Sequence, residues 1–251
     1  VDVSSNYPFV FKGNPYIKQS LLPSQVNAGD YEDIYNLDMV YENNPKQHII
    51  KSYKDYVFGP DEELEDLSLD LYTDEKDIYE AEFFIETEVK TPRFVVAHVR
   101  NDGWPSRNIS MDVWGDLLER ILDNYPDVTV VHIGGKHEIA FEGDERLVNG
   151  LGRFSIHALK ALIERATAFI GVDSAPFHIA ATTKTPNISF FTAVDAEYRK
   201  PLSADAVFEP LAANIDCYGC MADVPAPNTE FNCRRGSVDC VNSYDADTVY
   251  N

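Results

Sequence analysis

An α/β fold with a parallel, doubly wound sheet is what the second half of this sequence predicts, on three observations. From about residue 93, short β-rich runs alternate with amphipathic helical runs, which sets strands side by side and lays helices across their faces. Two of the helical runs open on a serine placed to cap them, Ser110 and Ser155. Polar or glycine-bearing segments follow one strand after another, at the ends where open parallel sheets hold ligands.

The elements follow in order. "VDVSS" (1–5) and "YNLDMVY" (35–41) read as strands, and "PKQHIIKSYKDYVFG" (45–59) reads as a helix ahead of an acidic tract. Thr73, followed by an acidic first turn, starts a helix near residue 74 that leads toward Pro92. "RFVVAHV" (93–99) is the first strand of the regular half. The Ser110 helix carries Trp114, Leu117, Leu118, Ile121 and Leu122 at helical spacing. "DVTVVHIGG" (127–135) is a strand ending in a glycine pair, and the Ser155 helix sets Ile156, Leu159, Ile163 and Ala166 on one face. "TAFIGV" (167–172) is the third strand, a helix of small residues is expected at 177–183, and "NISFF" (187–191) is a fourth strand after Pro186. A boundary near 86–93 divides the chain into domains of 1–90 and 91–251.

Composition narrows the function. The 251 residues are 44% hydrophobic and 25% charged, as in globular proteins, and the chain can bury one large core or two modest ones. Lys plus Arg number 21 against 42 Asp plus Glu, a formal net charge of −21 that repels nucleic acid and anionic membranes. No run approaches the roughly 18 apolar residues of a membrane span, and "VDVSSNYPFV" does not read as a signal peptide. A cytoplasmic protein with no transmembrane segment and no nucleic-acid partner is expected.

The most informative stretch is "GVDSAPFHIAATTKTP" (171–186). An apolar run stops at Asp173-Ser174 and resumes at Phe177. Asp173 or Ser174 serves as a helix N-cap, and Pro176 suits the first helical turn because it has no N–H to leave unpaired. A strand that turns directly into a helix leaves several amides aimed at one place, which attracts anions; it also describes an ordinary βα turn. The other strand ends supply His98 and Arg100, then Gly134-Gly135 and Glu138. With Arg107 in the loop after the first strand, these residues can bind a nucleotide diphosphate, the cation facing phosphate and a carboxylate holding ribose hydroxyls. Each also fits something duller: Arg107 a surface ion pair, Glu138 a helix-start carboxylate, His178 a core histidine.

"VVAHVRNDGWPSRNISMDVWGDLLERI", "VVHIGGKHE" and "FIGVDSAPFHIAATTKTPNISFF", in this order, resemble the nucleotide-sugar half of the heptosyltransferase family of glycosyltransferases, family 9, which has the GT-B fold. "VDVSSNYPFVFKGNPYI" is similar to part of that family's acceptor half. The resemblance implies two Rossmann-like halves, each with a parallel sheet, the N-terminal one incomplete. It also implies inverting, metal-independent transfer of a sugar from a nucleotide-diphosphate donor to an acceptor hydroxyl, on a glycan or another molecule. It makes Arg107 the cation facing the diphosphate, Glu138 the carboxylate near the nucleoside, and Asp173, Ser174 and the backbone at Ala175 the helix-start site. His178 reaches phosphate or sugar. Arg107 and His178 are then the catalytic candidates, and His98, Arg100, Arg107, Gly134, Glu138, Asp173, Ser174, Ala175 and His178 the donor-binding set. Two departures stand out. The family usually has glycine at the position of Ala175, and its usual general base would lie before Val1. A non-catalytic binding or assembly module of the same fold is the alternative, and a GT-B-like epimerase would need further carboxylates.

Cys217, Cys220, Cys233 and Cys240 lie within a Pro-, Gly- and Asn-bearing C-terminal loop (215–242), after a chain otherwise free of cysteine. The spacing suits a closed structural zinc site, two disulfides or free thiols. Zinc is favoured, because an oxidised, disulfide-dense protein would spread its cysteines more widely. No catalytic metal is expected.

Overall fold

A computed structural model describes residues 1–100, 103–223, 233 and 235–250. In the first part, β1 (Asp2–Ser4) pairs in parallel with β2 (Gln19–Leu21), and α1 spans Ile49–Phe58. The strand expected at 35–41 does not form. The segment turns instead, with Met39 at φ 61°, and Val40 is buried as a single anchor rather than as one of an alternating row. Helix α2 (Glu75–Glu88) starts where expected. Asp74 caps it reciprocally with Asp77, each carboxylate accepting the other's amide at 3.0 Å, and Lys12 bridges both at 2.9 and 2.8 Å.

The remainder forms a six-stranded sheet. Its strands are β3 (Arg93–His98), β4 (Val128–Ile133), β5 (Leu147–Asn149), β6 (Ala168–Val172), β7 (Asn187–Phe191) and β8 (Phe208–Ala212). They lie in the order β5-β4-β3-β6-β7-β8, and every pair is parallel. In chain order the strands run outward from β3 through β4 to β5, then the chain crosses back to β6 on the other side of β3, so the order reverses between β3 and β6. In an open α/β sheet that reversal opens a crevice beyond the carboxyl ends of the strands. β3 and β4 are near-continuous apolar runs because both faces of the sheet are covered.

Two layers cover it. On one face α2, α4 (Ile156–Ile163) and α5 (Ala175–Ala180) bury Phe84, Leu162, Ile163 and Phe177. On the other, α3 (Met111–Asn124) buries Trp114, Leu117, Leu118, Ile121 and Leu122, the residues that the helical spacing singled out. Serine caps hold both long helices as expected: Ser110 accepts the Asp112 amide at 3.2 Å, and Ser155 accepts the Ala158 amide at 3.0 Å. The C-terminal helix α6 (Ala246–Tyr250) packs beside α3, where Tyr244 donates to the carbonyls of Phe191 and Leu211 at 2.6 and 2.9 Å. The helix expected at 177–183 is α5, which begins and ends earlier, since Ala181 to Thr183 turn out of the helix.

Residues 1–90 lie against this unit. His157 of α4 sits between the carbonyls of Tyr72 at 2.5 Å and Phe9 at 2.9 Å, and His48 Nε2 meets the Lys200 carbonyl at 2.8 Å.

Candidate functional site

The crevice is built where the strand order reverses. β3 ends on His98 and β6 runs out into Asp173-Ser174, so the two strands deliver their polar residues side by side. The Ser174 hydroxyl lies 3.0 Å from His98 Nδ1 and 2.9 Å from the Val172 carbonyl. A hydroxyl has one proton; given to Val172, it leaves the serine oxygen to accept from His98, which fixes the proton of that ring on Nδ1. Ser174 stands at the N-cap position of α5 without capping it through its side chain.

Asp173, 2% exposed at its side chain, pairs with Arg107 at 3.3 Å. The sequence offers this carboxylate as a helix N-cap. It meets the guanidinium instead, because both are withdrawn from water and opposite charges there attract strongly. The Arg107 guanidinium also lies 5.2 Å from the centre of the Trp104 ring, while its Nε is buried with no hydrogen-bond partner among the described residues. Arg107 is carried by a 3-10 turn, Pro105–Arg107, which fixes the direction of the side chain.

His178 lies one turn into α5. Burial first of all pushes its pKa down to about 4; the Asp173 carboxylate works against this, and Arg199 and Arg107 add to it. The ring is therefore neutral near pH 7 and able to give one hydrogen bond.

A cavity of about 240 Å³ opens here, lined by His98, Ile133, Gly134, Gly135, Gly150, Phe154, Leu159 and Pro176. Glu138 stands at its rim, where Oε1 accepts the Gly135 amide at 2.5 Å. A Cβ on Gly134 would fall 2.5 Å from both carboxylate oxygens, so only glycine lets Glu138 fold back over this backbone. The structure thus brings together His98, Ser174, Asp173, Arg107 and His178, with Gly134 and Glu138 on the neighbouring strand end. Ala175 is exposed beside them, and Arg100 is exposed beyond β3 and outside the cavity lining. A larger hollow of about 460 Å³ lies at the β5 edge, where Arg153 pairs with Glu88 at 2.9 Å, and none of the site residues lines it.

The sequence reading missed Arg199. It is 4% exposed, lies 4.1 Å from the centre of the Tyr41 ring and donates to the Tyr41 hydroxyl, beside His178. A lone arginine in an irregular segment carries no local signal; only the fold brings it to the site.

Among the described residues no disulfide joins the four cysteines. Burial raises Cys240 to about pKa 11, and the other three cysteines push it in the same direction, so they lie within electrostatic reach of it. Among the described residues, no group of three or more His, Cys, Asp or Glu is close enough to hold one ion, and residues 224–232 and 234 of this loop lie outside the described residues. Nor is any described helix long and apolar enough to cross a membrane.

Comparison with known proteins adds to this geometry. Residues 133–223 match glycosyltransferase family 9 (heptosyltransferase). Lipopolysaccharide heptosyltransferase 3 of Escherichia coli K12 is 45% identical over 71 residues, 28% of this chain and 21% of that protein. The chain therefore spans about a fifth of the length of that curated relative. In fold, a family 9 glycosyl transferase from Veillonella parvula matches with a TM-score of 0.65 at 15% identity, over 96% of this chain and 63% of its own. The iron-containing dodecameric glycosyltransferase TibC from enterotoxigenic E. coli matches with 0.66 at 14% identity, over 92% and 61%. A structure of TibC as a heptosyltransferase holds ADP-D-β-D-heptose. The fold is that of these GT-B glycosyltransferases.

Proposed function

From the match of residues 133–223 to glycosyltransferase family 9, we propose that this chain supplies the donor side of a glycosyl transfer from a nucleotide-diphosphate sugar to an acceptor hydroxyl. The observation that carries the reading is the cluster of His98, Ser174, Asp173 and Arg107 at the strand-order reversal of an all-parallel sheet, beside a cavity bounded by Gly134 and Gly135. In an inverting transfer the acceptor oxygen bonds to the anomeric carbon as the bond to the diphosphate breaks, and the diphosphate leaves with the electron pair. Arg107 neutralises that charge once it exchanges Asp173 for phosphate, and neutral His178 donates one hydrogen bond to it. Asp173, freed of Arg107, faces the sugar hydroxyls. Glu138 accepts from the ribose. The acceptor proton goes to a base that none of these residues provides. With the Arg107 guanidinium, the neutral His178 N–H and backbone amides facing the diphosphate, this scheme uses no catalytic metal ion.

Residues 1–90 belong to the acceptor-side domain and 91–251 to the donor-side domain. Exposed aromatic residues such as Tyr7, Phe9, Tyr16, Tyr56 and Phe58 on the first part support a surface that meets more protein or an acceptor. The cysteine loop 215–242 holds a structural ion, zinc by preference, on a donor set of four thiols that suits tetrahedral coordination. Thiols kept reduced for that purpose suit a cytoplasmic location.

Calorimetry of the purified chain against ADP-, UDP-, GDP- and CDP-sugars tests the reading. One nucleotide bound well above the other three supports it, and no binding to any of them removes it. Ala175, in place of the family's usual glycine, favours a second reading as a binding module without turnover. Donor binding with no sugar transfer to any acceptor, in a chain that includes the complete N-terminal half, would select that one.

A further inference from the structure

The loop that carries Trp104 and Arg107 is held at two points. Its Ser106 carbonyl accepts the hydroxyl of Thr192, and both residues are buried. Its Ser110 amide donates to the Val241 carbonyl at 3.0 Å. Each anchor leads directly to a cysteine. The Thr192 carbonyl accepts the Gly219 amide at 3.1 Å, and the adjoining Ala193 carbonyl accepts the Met221 amide at 2.9 Å, so the Cys217–Cys220 turn lies along residues 192–193. Gly219 has φ +71°, and a Cβ there would fall 3.0 Å from Asp195 Cβ, which marks how closely the turn is pressed in. The Tyr218 hydroxyl accepts the Ala196 amide at 2.8 Å and adds a third tie. Val241 follows Cys240 in the 3-10 turn Asp239–Asn242.

We propose that Thr192 is a positioning residue for the diphosphate site, the link through which the Cys217–Cys220 turn fixes the Arg107 loop. Its side chain holds the loop and its main chain holds the turn, so disturbance of the thiols reaches Arg107 through one buried residue. The inference rests on the reading of Arg107 as the diphosphate cation. It extends that reading to regulation: conditions that reorganise the thiols lower donor affinity without touching a donor-binding residue.

Thr192→Val keeps the shape and removes the hydroxyl, and Thr192→Ser keeps the hydroxyl. With ADP as the probe, Thr192→Val should bind about tenfold more weakly, the upper range for one lost hydrogen bond, and Thr192→Ser within about twofold of the parent. Cys217→Ser combined with Cys220→Ser should weaken ADP binding in the parent and add little in the Thr192→Val background, as coupled residues do. Amide hydrogen exchange supplies a readout that needs no nucleotide. Thr192→Val should speed exchange in residues 103–110 and in 217–221 together, with the sheet unchanged. Parent-like ADP affinity in Thr192→Val, strictly additive losses, or faster exchange on one side only would overturn the proposal. If the parent itself does not bind ADP, the exchange arm still decides the link, and the failure counts against ADP as the nucleotide.

Discussion

Arg107 and Asp173 pair directly, so under the function proposed above a diphosphate must compete with that carboxylate for the cation. A guanidinium 16% exposed and a carboxylate 2% exposed stabilise each other as a pair. A diphosphate takes the cation by offering more negative charge than one carboxylate does. Arg107→Ala should therefore weaken nucleotide-diphosphate binding by about 1.5–3 kcal/mol, the range for hydrogen bonds to charged groups. Calorimetry checks it, and unchanged affinity would take Arg107 out of the site. The variant also leaves the Asp173 carboxylate buried without its cation, so a modest fall in melting temperature should accompany the loss. Of the site, the residues at strand ends were legible because topology dictates where such residues converge. The pairing of Asp173 with Arg107 was not, because it depends on how a loop 66 positions earlier in the chain returns over β6.

At the scale of elements, the sequence announces what is long and periodic. Ser110 and Ser155 cap as expected, and α3 buries the five residues its spacing marks. β5 and β8 were missed. The first is three residues long, too short to show a period, and the second contains Glu209 and Pro210, which a strand tolerates only at a sheet edge. The opposite failure, "YNLDMVY", has strand-forming composition with no partner strand to pair with. Within β4, His132 is 1% exposed with neither ring nitrogen bonded among the described residues, and burial lowers its pKa to about 4. The unfolded chain, with a histidine near 6.5, binds the proton more readily than the folded one. The stability contributed by keeping this ring neutral is thus present above about pH 6.5 and lost as pH falls toward 4. Between about pH 7 and pH 5 the loss from this one residue is about 2 kcal/mol. His132→Leu should flatten the acid side of a melting-temperature profile, leaving the smaller slope due to His178. An acid slope equal to the parent's would show that His132 does not titrate with folding.

For the whole molecule, the six-stranded unit and the C-terminal cysteine segment are built on different physics. The sheet rests on two buried apolar layers, whereas the described residues of the 215–242 segment bury little beyond Cys240 and are held by a few hydrogen bonds. Protein purified under reducing conditions should carry about one zinc per chain, and chelation should speed amide exchange in 215–242 while the sheet stays protected. Elemental analysis that finds no zinc would remove the ion, and loss of the whole fold on chelation would show that the sheet depends on it.

The strand order also dictates a sequence of events during synthesis. β3, first of the six to leave the ribosome, ends up at the interior of the sheet, with β4 on one side and β6 on the other. β4 follows within a few tens of residues and can pair at once. The other edge of β3 must wait for Ala168–Val172, so an apolar edge flanked by Val95, Val96 and Ala97 stays open while the intervening chain is made. Parallel sheets fold slowly and are exposed to aggregation for this reason. The nascent chain therefore passes through an interval in which a strand destined for the interior has one unpaired side, and the crevice does not yet have its second wall.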